Sequence, residues 1–314
     1  MIIASQQDVT AAVLAELERA TNPRFKEIMR AAVVHLHDFA RDARLTEAEF
    51  HQACAIVAQL GRLTTESHNE VVLAAGSLGL SSLICLLNNG DQGQTETTAN
   101  LMGPFWRQDA PRVEPGGSIV RSPVPGLPIF VNAWVRDAEG RPVEGAEVDV
   151  WHTSGEGFYE NQDPAQAEMN LRGKLTTDAR GHIAFRSVKP AGYPIPLDGP
   201  VGALLRAQGR HNMRPAHIHF MINKPGYKTQ FSQVYSSDDP FLESDAQFAV
   251  TRALIGQYVL HSNEAAPAPD VSGDWYSLDF HFVIEAGDNR LPKPPISGKA
   301  GGERPVREVL ERRQ

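Results

Sequence analysis

The stretch Arg214-Pro215-Ala216-His217-Ile218-His219-Phe220-Met221 decides how the rest of the chain is read. As a strand it alternates, so His217 and His219 point one way while Ala216, Ile218 and Phe220 point the other. Two imidazoles on the packed face of a sheet are costly unless each finds a partner, and one metal ion satisfies both together. The alternative is a hydrogen-bonded core histidine beside another at the sheet edge.

Outward from this stretch, Pro and Gly punctuate short runs rich in Val, Ile, Phe, Trp and Tyr over residues 129–135, 146–151, 182–188, 216–222, 230–235 and 277–284. Asp137-Ala138-Glu139-Gly140 is a turn between two of them. Short strands without long helices between them predict an antiparallel sandwich or barrel rather than a wound α/β sheet. One helical interruption is expected, from about Ser244 to Tyr258. The first ninety residues have a different grammar. Asn22-Pro23 sets a capping side chain before a proline at the first helical position, and Phe25, Ile28, Met29, Ala32, Val33, Leu36 and Phe39 follow at helical spacing. Thr46 with Glu49 and Ser67 with Glu70 fit the capping-box spacing and start further helices. Val71 to Leu87 is uncharged, but Gly76, Ser77, Gly79, Ser81 and Ser82 make it too polar for a membrane span, so it reads as a buried helix. The expected fold is therefore α+β. A helical region over 1–100, ending in a linker from Asn88 to Asn100, precedes a β-sandwich over 101–290 that carries the metal site. A polar tail over 291–314 follows, with a short helix from Arg304 and no assigned function.

The 314 residues are 41% hydrophobic and 22% charged, with a net charge of −8. Without a block of Lys and Arg, nucleic acid is not an expected partner, because phosphate binding needs clustered cations. A small molecule is. The two cysteines, Cys54 and Cys85, both fall in helical segments and read as reduced core thiols of a cytoplasmic protein. The opening MIIASQQDVT has neither the basic nor the apolar stretch of a signal peptide.

If His217 and His219 hold a metal, its other ligands come from loops on the same sheet face. Asp, Glu, Cys and, for a hard ferric ion, tyrosinate are the candidates. Tyr159, in Gly155-Glu156-Gly157-Phe158-Tyr159, and Tyr193, in Ala191-Gly192-Tyr193-Pro194-Ile195-Pro196, each lie in a loop beside a strand. A loop tyrosine taken singly is more often a packing residue with a wet hydroxyl. His35, His37, His51 and His68 read as surface or helix-packing residues, and His152, His182, His211, His261 and His281 as structural.

Taken together, DVWHTSGEGFYE, RSVKPAGYPIPLDGPVG and RPAHIHF, in this order and spacing, resemble the intradiol ring-cleaving dioxygenases, in particular their catechol and hydroxyquinol 1,2-dioxygenase branch. The resemblance covers about Gly103 to Ile284, and the helical first region suits that branch. It implies one non-haem Fe(III) per subunit on Tyr159, Tyr193, His217 and His219, with Tyr193 the ligand displaced by substrate and accepting its proton. It implies that Arg214 stabilises negative charge developing on the ring and that Gln233 lies close behind. The implied reaction uses O2 to open a catecholic ring between its two hydroxylated carbons, giving a cis,cis-muconate-type diacid. The implied partners are a small aromatic diol or triol, a second copy docked through the N-terminal helices, and a phospholipid at that dimer interface. Helical faces closed on themselves would leave a monomer instead.

The implied substrate wall comprises Leu73 and Gly76 from the helical part, Leu101, Pro104 and Phe105 from the linker, and Ile195, Pro196 and Ala246 from loops. The Tyr193 to Gly202 string resembles hydroxyquinol (1,2,4-trihydroxybenzene) enzymes most, with 3-hydroxy-cis,cis-muconate (maleylacetate) as product. Gly76, where an acidic residue able to meet a third hydroxyl is expected, and Gln233 point instead to catechol or chlorocatechol. Two other classes compete. The GRPVEGAEVDVW hairpin also resembles small transthyretin-like binding modules, and a zinc hydrolase would use His with carboxylates.

Overall fold

A computed structural model describes residues 2–65, 68–90, 97–299 and 301–312. The chain divides into two units, Met1–Gln59 and Leu60–Gln314. The first holds α1 (Gln6–Leu17), α2 (Pro23–Asp42) and most of α3 (Glu47–Arg62). Local signals set their starts. Asn22 Oδ1 accepts from the Phe25 N–H at 3.0 Å, and Thr46 and Glu49 bond reciprocally as a capping box, with Glu49 Oε2 accepting from Thr46 N at 2.8 Å and Thr46 Oγ1 from Glu49 N at 3.3 Å. The apolar face of α2 is formed as expected, yet Phe25, Ile28, Leu36 and Phe39 are all exposed.

The expected single buried helix over Val71 to Leu87 is instead two, α4 (Glu70–Ser77) and α5 (Leu80–Asn89), bent by 76°. Gly79 breaks the ladder between them, because its φ of +74° is a left-handed conformation that glycine adopts without strain. Val71, Val72, Leu80, Leu83, Ile84 and Leu87 are exposed rather than buried. The N-cap of α4 is Asn69, whose side chain accepts from Val72 N at 2.9 Å; the proposed cap Ser67 and linker residues 91–96 lie outside the described residues. Cys85 is half-buried, but Cys54 is exposed on α3 and not a core thiol. Among the described residues no single helix is long and apolar enough to cross a membrane.

The β region contains β1 (Pro128–Asp137), β2 (Glu147–His152), β3 (Arg172–Thr176), β4 (His182–Val188), β5 (Tyr193–Pro194), α6 (Pro200–Ala207), β6 (Met213–Arg214), β7 (His217–Asn223), β8 (Gln230–Ser236), β9 (Ile255–Gly256), β10 (Val259–His261) and β11 (Trp275–Ile284). Two sheets are ordered β10-β11-β1-β4 and β3-β2-β7-β8-β9, and β5-β6 form a separate two-stranded ribbon. Ile129, Val131, Ala133 and Val135 of β1, with Leu278, Phe280 and Phe282 of β11, share one core with Val148, Val150, Ile218, Phe220 and Val234 of the other sheet. The sandwich is not wholly antiparallel, because β11 enters beside β1 in the same direction, as β9 does beside β8. A strand arriving by a long crossover is free to pair in parallel, whereas a tight hairpin is not.

Three local expectations are corrected. Residues 244–258 form no continuous helix, only 3₁₀ turns at Leu242–Ser244 and Arg252–Leu254. Asp245 explains this, since its carboxylate takes the N–H groups of Gln247 and Ala249 at 3.2 and 3.0 Å and offers the backbone an alternative to the helix. The string after Pro196 hides a helix, α6, with Pro200 in its first turn. The tail after Arg304 is not helical among the described residues; side chains hold it in place.

Candidate metal centre and substrate cavity

β7 is buried on both faces. Ile218, Phe220 and Ile222 enter the sandwich core, while Met221, on the histidine face, joins Trp106, Trp151, Tyr159 and Tyr193. Pairing with β8 sets His217 opposite Tyr235 and His219 opposite Gln233, so four polar side chains share that second face. β2 ends in a turn through Gly157 that leads into Tyr159. The ribbon β5-β6 pairs Tyr193 directly with Arg214.

These elements converge. Tyr159 Oη stands 2.9 Å from His219 Nε2, 3.4 Å from His217 Nε2 and 3.4 Å from Tyr193 Oη, and the two Nε2 atoms are 3.1 Å apart. His217 Nδ1 donates to the Pro215 carbonyl at 2.7 Å, leaving Nε2 with its lone pair facing the cluster. His219 stacks on Trp151, with ring centroids 4.6 Å apart and planes at 7°, and its buried Nδ1 has no partner among the described residues. Gly103 lets the 101–105 loop pass over this ring, since a Cβ there would stand 3.1 Å from His219 Cε1.

Burial, reinforced by the Arg214 charge, pushes the His217 imidazole down to about 3, and burial beside His217 drives His219 well below the histidine range. Both rings are thus neutral and able to ligate. Burial, then the neighbouring Tyr193, raises the Tyr159 phenol well above its ordinary value. With Tyr159 Oη donating to Tyr193 Oη and the two Nε2 atoms 3.1 Å apart, four donor atoms gather in a buried site that a multivalent cation would stabilise. The donor set of two imidazoles and two phenols fits a hard ferric ion. Among the described residues no three His, Cys, Asp or Glu side chains gather as a metal site.

Arg214 is buried. Its Nε donates to Asp245 Oδ1 at 3.1 Å, Nη2 to Gln233 Oε1 and Tyr235 Oη at 2.9 Å each, and Nη1 reaches Tyr193 Oη at 3.5 Å. Burial opposes its charge, but the adjacent Asp245 carboxylate more than compensates and holds it above the usual arginine value. Gln233 also donates from Nε2 to the Leu101 carbonyl at 2.8 Å. Asp245 and Tyr235 were not singled out in the sequence. Tyr235 had a detectable signal, two residues beyond Gln233 on one strand; the Arg214–Asp245 pairing had none.

A cavity of about 230 Å³ opens beside this cluster, lined by Tyr193, Arg214 and Gln233 and by the expected Leu73, Leu101, Pro104, Phe105, Ile195 and Pro196. Tyr159 does not line it. Nor do two expected wall residues: Ala246 is packed with Ile195, Leu197, Val201 and Leu205, and Gly76 lies under the side chain of Gln247. Gln247, His68, Asn69, Val72 and Ser81, with Met102 and Gly103 of the 101–105 loop, complete the wall unannounced by the sequence. His68, expected to be a surface or packing residue, lines the cavity and bonds the buried Glu70 at 2.7 Å.

The tail also reaches the site. Arg307 lies over the Phe158 ring, 3.4 Å from its centroid, and donates to the Gly157 and Glu156 carbonyls of the Tyr159 turn. Asn212, beside β6, donates to the Glu308 carbonyl at 3.0 Å and accepts from Leu310 N at 2.9 Å.

A two-sheet sandwich whose inner strand and flanking loops bring two imidazoles and two phenols together gathers the donor types that a hard metal ion takes. Residues 102–286 match the family model described as "Dioxygenase" and residues 22–96 that described as "Catechol dioxygenase N terminus". The 6-chlorohydroxyquinol 1,2-dioxygenase of Cupriavidus pinatubonensis is 40% identical over 89% of this chain and 97% of that protein. The catechol 1,2-dioxygenase of Candida albicans is 36% identical over 94% and 97%. The crystal structure of hydroxyquinol 1,2-dioxygenase from Pseudomonas putida DLL-E4 superposes with a TM-score of 0.81 at 37% identity, covering 90% of this chain and 99% of that one. The chain belongs to the intradiol ring-cleaving dioxygenases, enzymes that use non-haem iron.

Proposed function

We propose that this enzyme cleaves hydroxyquinol with O2 between its two adjacent hydroxylated carbons, giving 3-hydroxy-cis,cis-muconate, at one Fe(III) per subunit held by Tyr159, Tyr193, His217 and His219. The observation that carries the reading is the meeting of four donor atoms from three separate stretches of chain, with Tyr159 Oη 2.9 to 3.4 Å from the other three and the two Nε2 atoms 3.1 Å apart. Hydroxyquinol is favoured by the Cupriavidus and Pseudomonas relatives, whose names specify hydroxyquinols. Catechol or a chlorocatechol is the second reading, supported by the Candida relative and by glycine at position 76.

Bound iron supplies a Lewis-acidic template for both ring oxygens. The protein supplies the rest. Tyr193 lines the cavity and Tyr159 does not, so with iron bound Tyr193 would be the tyrosine placed to accept a hydroxyl proton from the incoming diol. Arg214, locked by Asp245, Gln233 and Tyr235, presents a fixed positive charge where negative charge accumulates on the ring. Leu101, Pro104, Phe105 and Ile195 exclude water and leave room for a single ring.

A homodimer docked through the N-terminal helices is part of this proposal, supported by the exposed apolar face of α2, and so is a phospholipid bound at such an apolar surface. A cytoplasmic location fits two free cysteines. The deciding experiment is oxygen uptake by iron-loaded protein against hydroxyquinol, catechol and chlorocatechols. The highest kcat/KM is expected for hydroxyquinol, and red to purple protein from tyrosinate-to-iron charge transfer. Colourless iron-loaded protein would remove the ligand assignment; a preference for catechol would remove the substrate.

A further inference from the structure

Gln247 lines the cavity although it is only 8% exposed. Its position depends on Gly76, where a Cβ would stand 1.8 Å from Gln247 Oε1 and 2.7 Å from Cδ. A side chain at 76 and the present placement of Gln247 therefore exclude each other, and the amide fills space that α4 leaves vacant. Gln247 Nε2 donates to Ser77 Oγ at 2.9 Å, which fixes the amide and makes Oε1 its acceptor end. The backbone is fixed too. Asp245 Oδ1 accepts from Gln247 N at 3.2 Å and from Arg214 Nε at 3.1 Å, so one carboxylate positions both the guanidinium and this acceptor. Arg210 closes the other side, donating at 2.9 Å to the carbonyls of both Ser77 and Ala246.

Apart from Ser81, Tyr193 and Arg214, each of the other polar wall residues has an atom already engaged. Asn69 Oδ1 caps α4, His68 Nε2 bonds Glu70, and Gln233 serves Arg214, Tyr235 and Leu101. A preorganised acceptor in a largely apolar cavity selects a ligand that brings a donor to it.

We infer that Gln247 Oε1 receives the ring hydroxyl that distinguishes a trihydroxylated ring from catechol, which makes Gln247 a specificity-determining residue. The inference rests on the hydroxyquinol reading above. A ring chlorine offers no donor at this point, so the same amide works against chlorocatechols lacking the third hydroxyl.

The test compares iron-loaded wild type, Gln247→Leu, Gly76→Ala and the double variant, using kcat and KM for hydroxyquinol and catechol and anaerobic dissociation constants for both. In Gln247→Leu the hydroxyquinol-to-catechol ratio of kcat/KM falls about tenfold, mainly through KM and the anaerobic constant, the size expected for one lost hydrogen bond. Gly76→Ala displaces the amide and moves the ratio the same way, but adds little once Gln247 is gone, because both changes act through one contact. An unchanged ratio in Gln247→Leu, with wild type cleaving hydroxyquinol, overturns the Gln247 assignment alone. Wild type that cleaves catechol and not hydroxyquinol overturns substrate and assignment together. Should Gln247→Leu fail to fold, Gly76→Ala, which suits a helix interior, decides on the same ratio.

Discussion

β7 and α2 both carry a clear apolar periodicity, but they end in opposite situations. In β7 every residue from His217 to Ile222 is buried, one face in the sandwich core and the other against the aromatic and polar cluster. In α2 no residue is buried, and Leu36 and Phe39 remain 64% and 59% exposed. A periodicity states which side of an element seeks cover; it does not state where the cover comes from. For β7 it comes from distant parts of the same chain. For α2 the single chain leaves the face open, the condition expected of a surface that a second copy covers.

The comparison is tested most severely at β7. His217→Ala should abolish iron retention and turnover together, measured by metal analysis and oxygen uptake, because one of only two imidazole donors is lost; full iron occupancy would contradict the role given to that face. Next in size, Tyr193→Phe should keep iron while kcat falls about a hundredfold or more, since the remaining ligands hold the metal but the proton acceptor is gone. Wild-type turnover in that variant would return Tyr193 to packing.

Smaller effects sharpen the contrast. Arg307→Ala should lower unfolding stability in urea by about 1–2 kcal/mol, with Arg307→Lys recovering part, because the guanidinium both stacks on Phe158 and bonds the Tyr159 turn. No loss would mean that the tail is not what supports that turn. The smallest effect on catalysis is expected at α2, where Leu36→Glu with Phe39→Glu should convert a dimer to monomer in sedimentation and leave turnover per subunit near that of wild type. Unaltered sedimentation would show that α2 faces water and that its resemblance to an interface is misleading.

The imidazole half of the donor cluster was legible because alternation is local geometry: His-x-His on a strand places both rings on one face whatever surrounds them. The caps at Asn22 and Thr46 were legible for the same reason, since donor and acceptor lie within three residues. Harder to read were α6, absorbed into a proline-rich string, and the 244–258 segment, where the Asp245 side chain replaced the backbone ladder. The break at Gly79 belongs here as well, because apolar composition alone does not report a left-handed residue. Gln247 could not have been read at all. Its place in the cavity depends on the missing side chain of a glycine 171 positions earlier in the chain.

By itself the sequence determined a helical region, a strand-rich region and two histidines on one face, because short-range steric rules and residue chemistry need no partner to be read; the two tyrosines joined them through the family resemblance. Tertiary structure alone decided that Asp245 anchors Arg214, that Gln247 and not residue 76 forms the cavity wall, and that the tail braces the Tyr159 turn. Those depend on which distant segments come within bonding reach, and spacing along a chain does not carry that information.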